Sequence, residues 1–298
     1  MIVLQNEHII ARIDELGAEL KSLVLKETER EYMWNGNPAY WPKFSPILFP
    51  IVGSVKDDTY FFEGKEYHLP RHGFAREKEF KAQQVSQTEV LFTLQSNEQT
   101  LAVYPFHFEL GLRYRLQDKK LFCTYEVLNT GADKMYFSIG GHPAFAVPMT
   151  TSTTYTDYYL QFNHPEPLIR HKLAGGLMSG QSELLPIKMA NSFSEETEDS
   201  KLELEPELFY EDAIVLKNPG SDFVILGSDL HHHGLQFDFT GFPYLGIWAA
   251  KDAPFVCIEP WCGLSDIITH NQRFEEKEGI NMLEPAEKWE RTWSVNLF

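Results

Sequence analysis

LFCTYEVLNTGADKMYFSIGG, residues 121–141, decides the fold. LFCTYEVLN (121–129) is rich in aromatic and β-branched residues, the composition of a β-strand. NTGADK (129–134) is a cluster of turn residues, and MYFSIGG (135–141) resumes the strand, so the stretch is read as a hairpin. The same grammar recurs on both sides. YFFEGKEYHL (60–69) sets two aromatic arms around a glycine and predicts another hairpin. DFVILGSDLHHHGLQFDF (222–239) predicts two more strands, followed by YLGIWAA (244–250) and PFVCIEPW (254–261). No segment shows a sustained 3.6-residue period, so long amphipathic helices are not expected. The length admits about twenty short strands, which implies an all-β class built as a large antiparallel sandwich or barrel.

Composition sets the outer bounds. With 298 residues, 43% hydrophobic and 23% charged, the chain can bury a sizeable core and is not disordered. A net charge of −17 argues against nucleic acid or an anionic membrane surface as a partner. The N-terminus, MIVLQNEHIIARIDELG, lacks the basic start and apolar run of a signal peptide, and no stretch has the roughly 18 apolar residues of a membrane span. The cysteines Cys123, Cys257 and Cys262 are odd in number and lack CxxC spacing, which suits neither a disulfide framework nor a zinc site. A cytoplasmic location is the expectation. One compositional break, the acidic, serine-rich NSFSEETEDSKLELEPEL (191–208), reads as a solvated loop or edge excursion. Strand-like pattern continues across it, so one domain over 1–298 is expected.

Three stretches place polar groups in apolar strand ends. SIGGHPAF (138–145) sets His142 between two glycines and a proline. Glycine permits close backbone approach or a positive φ, and proline stiffens the residues after it. LPRHGFARE (69–77) places His72 beside a glycine, with Arg71 and Arg76 flanking it; arginine can bind hydroxyls or an anion. In APFVCIEPWCG (253–263) strand alternation puts Phe255, Cys257 and Glu259 on one side. A carboxylate there is costly unless paired or useful, and desolvation raises its pKa toward that of a general base. Trp261 is read as a core residue or a stacking wall. The triplet His231–His233 reads as a surface turn rather than a metal site, and Cys257 as a small core residue rather than a nucleophile.

Together, HGFAR, GGHPAF and the late IEPW resemble the aldose 1-epimerase (galactose mutarotase) family, most closely its branch from lactose-utilising bacteria. ILFPIVG (47–53), YPFHFELGLRYRL (104–116) and LFYEDAIVLKN (208–218) extend the resemblance end to end. It implies a β-supersandwich with an open cleft for a free hexose such as galactose or glucose, and no metal or cofactor. His142 then corresponds to the general acid at the sugar ring oxygen and Glu259 to the general base at the anomeric hydroxyl. His72 is similar to a histidine that hydrogen-bonds near the anomeric centre, and Asp212 to an aspartate that binds sugar hydroxyls. A homodimer is compatible with the resemblance. One departure stands out: where better-known mutarotases carry Asn-Arg after an early glycine, this chain reads VGSVKDD (52–58). Arg76 or the nearby Lys56 is the candidate replacement.

The chemistry implied is hemiacetal opening: one proton leaves the C1 hydroxyl, one reaches the ring oxygen, C1–C2 rotates, and the ring recloses. Three rivals are weighed against a free-aldose mutarotase. One is a hexose-6-phosphate mutarotase using Arg71, Arg76 or Lys56 on phosphate, another a carbohydrate-binding protein without turnover, the third a metal-dependent sugar isomerase. An acid–base pair facing across a sugar-sized gap is the arrangement expected.

Overall fold

In the computed structural model, which describes residues 1–191 and 198–298, the regular secondary structure is almost wholly antiparallel strand. There are twenty-six strands among the described residues against the roughly twenty expected from strand-sized segments. The one α-helix among the described residues, Glu98–Val103, is closed at its start by an Asn97–Thr100 capping box. No helix is long and apolar enough to cross a membrane.

A ten-stranded sheet runs from Lys188–Asn191 at one edge to Lys81–Gln84 at the other, and an eight-stranded sheet from Leu177–Leu184 to Ile47–Leu48. A four-stranded sheet from the first 31 residues and two small ribbons complete it. The large sheets face each other through the core. Phe145 of the eight-stranded sheet meets Phe237 of the ten-stranded one at 6.0 Å between ring centres. The β-sandwich read from the sequence is what forms.

The hairpin at 60–69 is present: Thr59–Phe62 pairs with Lys65–His68. Glu63 and Gly64 both take positive φ at its tip, as a two-residue turn matched to strand twist requires. The strands Phe223–Ser228, Leu235–Asp238, Tyr244–Trp248 and Phe255–Cys262 also form, and the histidine triplet lies in the connection between the first two. The hairpin expected at 121–141 does not form. Lys120–Asn129 has both edges filled, by Phe108–Gln117 and by Lys288–Leu297, so no ladder edge is left for the returning chain. Met135–Phe137 instead pairs with Asn281–Leu283, and Ile139–Gly141 passes into the eight-stranded sheet. Of the acidic stretch, residues 192–197 lie outside the described residues. Its Glu198–Glu203 pairs with the edge strand Lys188–Asn191, in keeping with an excursion at a sheet edge.

Candidate active site

The strand Phe255–Cys262 is buried at every position and organises the site. Two short strands pair with it on one side: Ile139–Gly141, through Ile139↔Cys262 and Gly140↔Trp261, and Ala144–Ala146, through Ala144↔Cys257 and Phe145↔Val256. Both pairings keep one register, so His142, between them, stands opposite Glu259. Pro143 and Pro260 interrupt the ladder here, since proline has no N–H to give it. The result is a cross-strand pair: His142 Nε2 lies 3.3 Å from Glu259 Oε2. The two groups sit shoulder to shoulder rather than across a gap.

The glycines of GGHPAF have a role that their φ angles do not reveal, because neither is left-handed. A Cβ on Gly140 would fall 2.5 Å from Trp261 Cδ1, and one on Gly141 would fall 2.4 Å from the Tyr125 hydroxyl. They let this turn of chain settle against the core and carry the imidazole with it. Gly246, opposite Glu259 on the neighbouring strand, similarly clears the Trp261 ring, whose Cζ2 would be 2.4 Å from its Cβ. Gly140→Ala is therefore expected to destabilise the protein by about 1–3 kcal/mol, as overpacking does, read as a lower midpoint in urea unfolding.

His142 and Glu259 lie at the floor of a cavity of about 240 Å³. Trp41 stacks on the His142 ring at 4.8 Å and 29°, and Trp248 meets the same ring edge-on at 5.5 Å. His72, Arg71, Arg76, Asp212 and Trp261 also line the cavity, so the sequence-derived residues converge on one place. Lys56 does not line it; its backbone N–H donates to Asp266 Oδ2. Of the two candidates for the missing arginine position, only Arg76 reaches the cavity, and Arg71, the other arginine flanking His72, joins it. Leu173, Met178, Val215 and Leu264 form an apolar wall that the sequence reading did not assign.

Burial controls the electrostatics. It pushes the Glu259 carboxyl well above its usual range, opposed by Arg71, and pulls the His142 imidazole down to about 3. Each group alone therefore favours its neutral form. His142 Nδ1 is buried with no hydrogen-bond partner among the described residues. Native proteins leave few such atoms, and they cluster where a ligand supplies the partner.

His72 holds an unusual backbone, φ +68°, followed by Gly73 at +69°. Its Nδ1 accepts the Gly53 N–H at 3.1 Å, and its own N–H donates to the Gly53 carbonyl at 2.7 Å. Burial keeps the ring neutral, helped by His142, Arg71 and Arg76. A neutral imidazole accepts at one nitrogen only; the Gly53 N–H, fixed in the backbone and nearer than the Arg71 Nε–H of an exposed side chain, takes Nδ1, which leaves the proton on Nε2. The Arg71 Nε–H, 3.3 Å from Nε2 and aimed at it, competes with the Gly53 N–H for the single acceptor nitrogen of the neutral ring. Arg71 also lies 3.7 Å from Asp212, and Arg76 Nη2 donates to the Arg71 carbonyl. Asp212 itself accepts the Ala213 N–H, while its carbonyl receives Arg170.

His142, Cys257 and Glu259 offer imidazole, thiol and carboxylate atoms within 4.8 Å of one another, a donor set that a divalent cation could use. Burial raises the Cys257 thiol well above its ordinary range, so such an ion must displace protons from both thiol and carboxyl.

A family model described as aldose 1-epimerase matches residues 1–278. Plasmid-encoded protein LacX of Lactococcus lactis subsp. lactis is 32% identical over 303 aligned positions, covering 99% of both chains. A galactose mutarotase related enzyme from Lactobacillus acidophilus superimposes with a TM-score of 0.92 at 31% identity, covering 100% of this chain and 97% of its own. A galactose mutarotase-like protein from Lactobacillus casei ATCC 334 does so at 0.91 and 33%, with both chains fully covered.

Proposed function

The chain belongs to the aldose 1-epimerase family, and from that premise we propose that it interconverts the α and β anomers of a free aldohexose, with His142 and Glu259 as the proton-transfer pair. The observation that carries this reading is the 3.3 Å approach of Nε2 to Oε2 at the floor of a sugar-sized cavity. In a pyranose the anomeric hydroxyl and the ring oxygen are bonded to the same carbon. The acid and base serving them must therefore be neighbours, as these are.

The steps balance on one shared proton. Starting with imidazolium and carboxylate, Glu259 takes the C1 hydroxyl proton, the C1–O5 bond breaks as C1=O forms, and O5 receives the proton from His142 Nε2. The open-chain aldehyde is left with a neutral imidazole and a neutral carboxyl, the combination burial favours. Rotation about C1–C2 presents the other carbonyl face. His142 then takes the O5 proton, O5 attacks C1, and Glu259 returns its proton to the new hydroxyl. Each transfer contributes about 10²–10⁴-fold. The His72 Nε2–H and the Arg71 guanidinium supply donors for sugar oxygens, with Arg76 and Asp212 as further hydroxyl ligands, and the tryptophans offer apolar faces for C–H surfaces.

A phosphorylated aldose is the second reading, supported by Arg71 and Arg76 in the same cavity. Polarimetry of fresh α-D-glucose and α-D-galactose is expected to show accelerated approach to equilibrium, unchanged by EDTA. Parallel assays of the 6-phosphates decide between the two readings. A rate equal to the buffer blank on all of them leaves a binding protein, and loss of rate in EDTA points to the metal-dependent alternative.

A further inference from the structure

The segment 53–56 that holds His72 is itself held by a buried ion pair more than 200 residues away in sequence. Lys277 and Asp266 have side chains 1% exposed, and Lys277 Nζ lies 2.9 Å from Asp266 Oδ1. Both sides of Ser54 are engaged from this direction. Its carbonyl accepts the Asp266 N–H at 2.9 Å and Lys277 Nζ at 3.5 Å, and its N–H donates to Ser265 Oγ at 3.1 Å. Asp266 Oδ2 accepts the Lys56 N–H at 2.9 Å, with His270 Nδ1 3.3 Å from the same oxygen. Gly53, the residue before Ser54, has φ +68°, and a Cβ there would fall 1.8 Å from Ser265 Oγ. The chain of contacts thus runs from the ion pair through Ser54 to Gly53, and from Gly53 by two hydrogen bonds to His72.

We propose that Lys277 and Asp266 are positioning residues: by holding Ser54 they fix the chain at Gly53, so that the Gly53 N–H holds the His72 imidazole in the Nε2–H tautomer, aimed into the cavity. A buried ion pair is a poor source of stability, because desolvating two charges offsets most of their attraction, and apolar replacements of such pairs are often no less stable. What it supplies is geometry. Neither Lys277 nor Asp266 lines the cavity, so neither touches sugar. The effect on turnover rests on the proposed function, in which His72 binds near the anomeric centre; the effect on the tautomer does not.

The test is nitrogen-15 NMR of the His72 ring in the full chain without sugar, combined with kinetics. In the natural protein Nδ1 is expected to carry no proton and Nε2 to carry one; the opposite tautomer overturns the proposal at once. In Asp266→Asn, and in Lys277→Met/Asp266→Asn, which leaves no unpaired charge, His72 is expected to become a mixture of tautomers. kcat/KM is expected to fall by about ten- to a hundredfold, the scale of a misplacement near 1 Å, while thermal unfolding stays cooperative. Asp266→Asn and Lys277→Met each strand one buried charge and are expected to be less stable than the double variant. A folded double variant with an unmoved His72 spectrum overturns the clamp. A tautomer shift with unchanged kcat/KM leaves the clamp standing and removes His72 from the sugar site.

Discussion

Glu259→Gln is expected to lower kcat/KM by about 10²–10⁴-fold while making the protein more stable in neutral and alkaline buffer. The activity loss comes from removing the base: an amide cannot take the anomeric proton, and one such group is worth about 10²–10⁴-fold. The stability gain comes from burial. Glu259 is 1% exposed, and its carboxyl is pushed well above the ordinary value of 4.5 in the folded state. Its contribution to stability is thus fully present below about 4.5 and is lost as pH rises through the raised folded value, because the unfolded chain ionises first. Glutamine fills the same space with no such penalty. Thermal unfolding from about pH 5 to pH 9, across the window in which the unfolded carboxyl is ionised, should show the variant pulling ahead of the natural protein as pH rises. A variant that unfolds more readily at every pH would instead make Glu259 a structural ion-pair partner.

The second large effect concerns its neighbour. His142→Asn is expected to reduce kcat/KM by about 10²–10⁴-fold, and the double variant with Glu259→Gln should be little worse than either single one, since the pair works on one shared proton. The pH signature has the opposite sign. The His142 pKa falls from 6.5 to about 3 on folding, so the unfolded chain binds a proton that the folded chain refuses. Stability is present above 6.5 and lost as pH falls toward 3. Removing the imidazole should flatten that acid limb without abolishing it, because buried His72, lowered for the same reason, remains. Parallel melting curves at about pH 4 and pH 7, on either side of the ordinary imidazole value, read this directly. Equal acid sensitivity in variant and natural protein would assign the limb to other groups.

These two residues were also the most legible part of the site. Alternation alone put Phe255, Cys257 and Glu259 on one face, and the ligand atoms of Cys257 and Glu259 do converge with His142. Laying GGHPAF antiparallel to VCIEPW in the observed register would also have placed His142 against Glu259. The strand ends near 60, 223 and 255 were readable because turn residues and aromatic runs are local signals. Strand partners were not. The hairpin expected at 121–141 fails because Lys120–Asn129 is claimed on both edges by chain from 108–117 and 288–297, which no local pattern announces. Trp41, Trp248, Leu173 and Met178 reach the cavity from elements scattered along the chain, and each resembles any other core residue when read alone. The buried Lys277 gives no sign in KEG that its charge will meet Asp266 and the Ser54 carbonyl.

The proline-interrupted register opposite Glu259 carries an evolutionary consequence. Successive strand residues face opposite ways, so inserting or deleting one residue between the pairings Ile139↔Cys262 and Ala144↔Cys257 would turn the imidazole toward the wrong layer while sparing every atom of the carboxylate. Descendants of this chain can therefore trade side chains around the cavity far more freely than they can alter the length of those few residues. Loops elsewhere are where indels should accumulate.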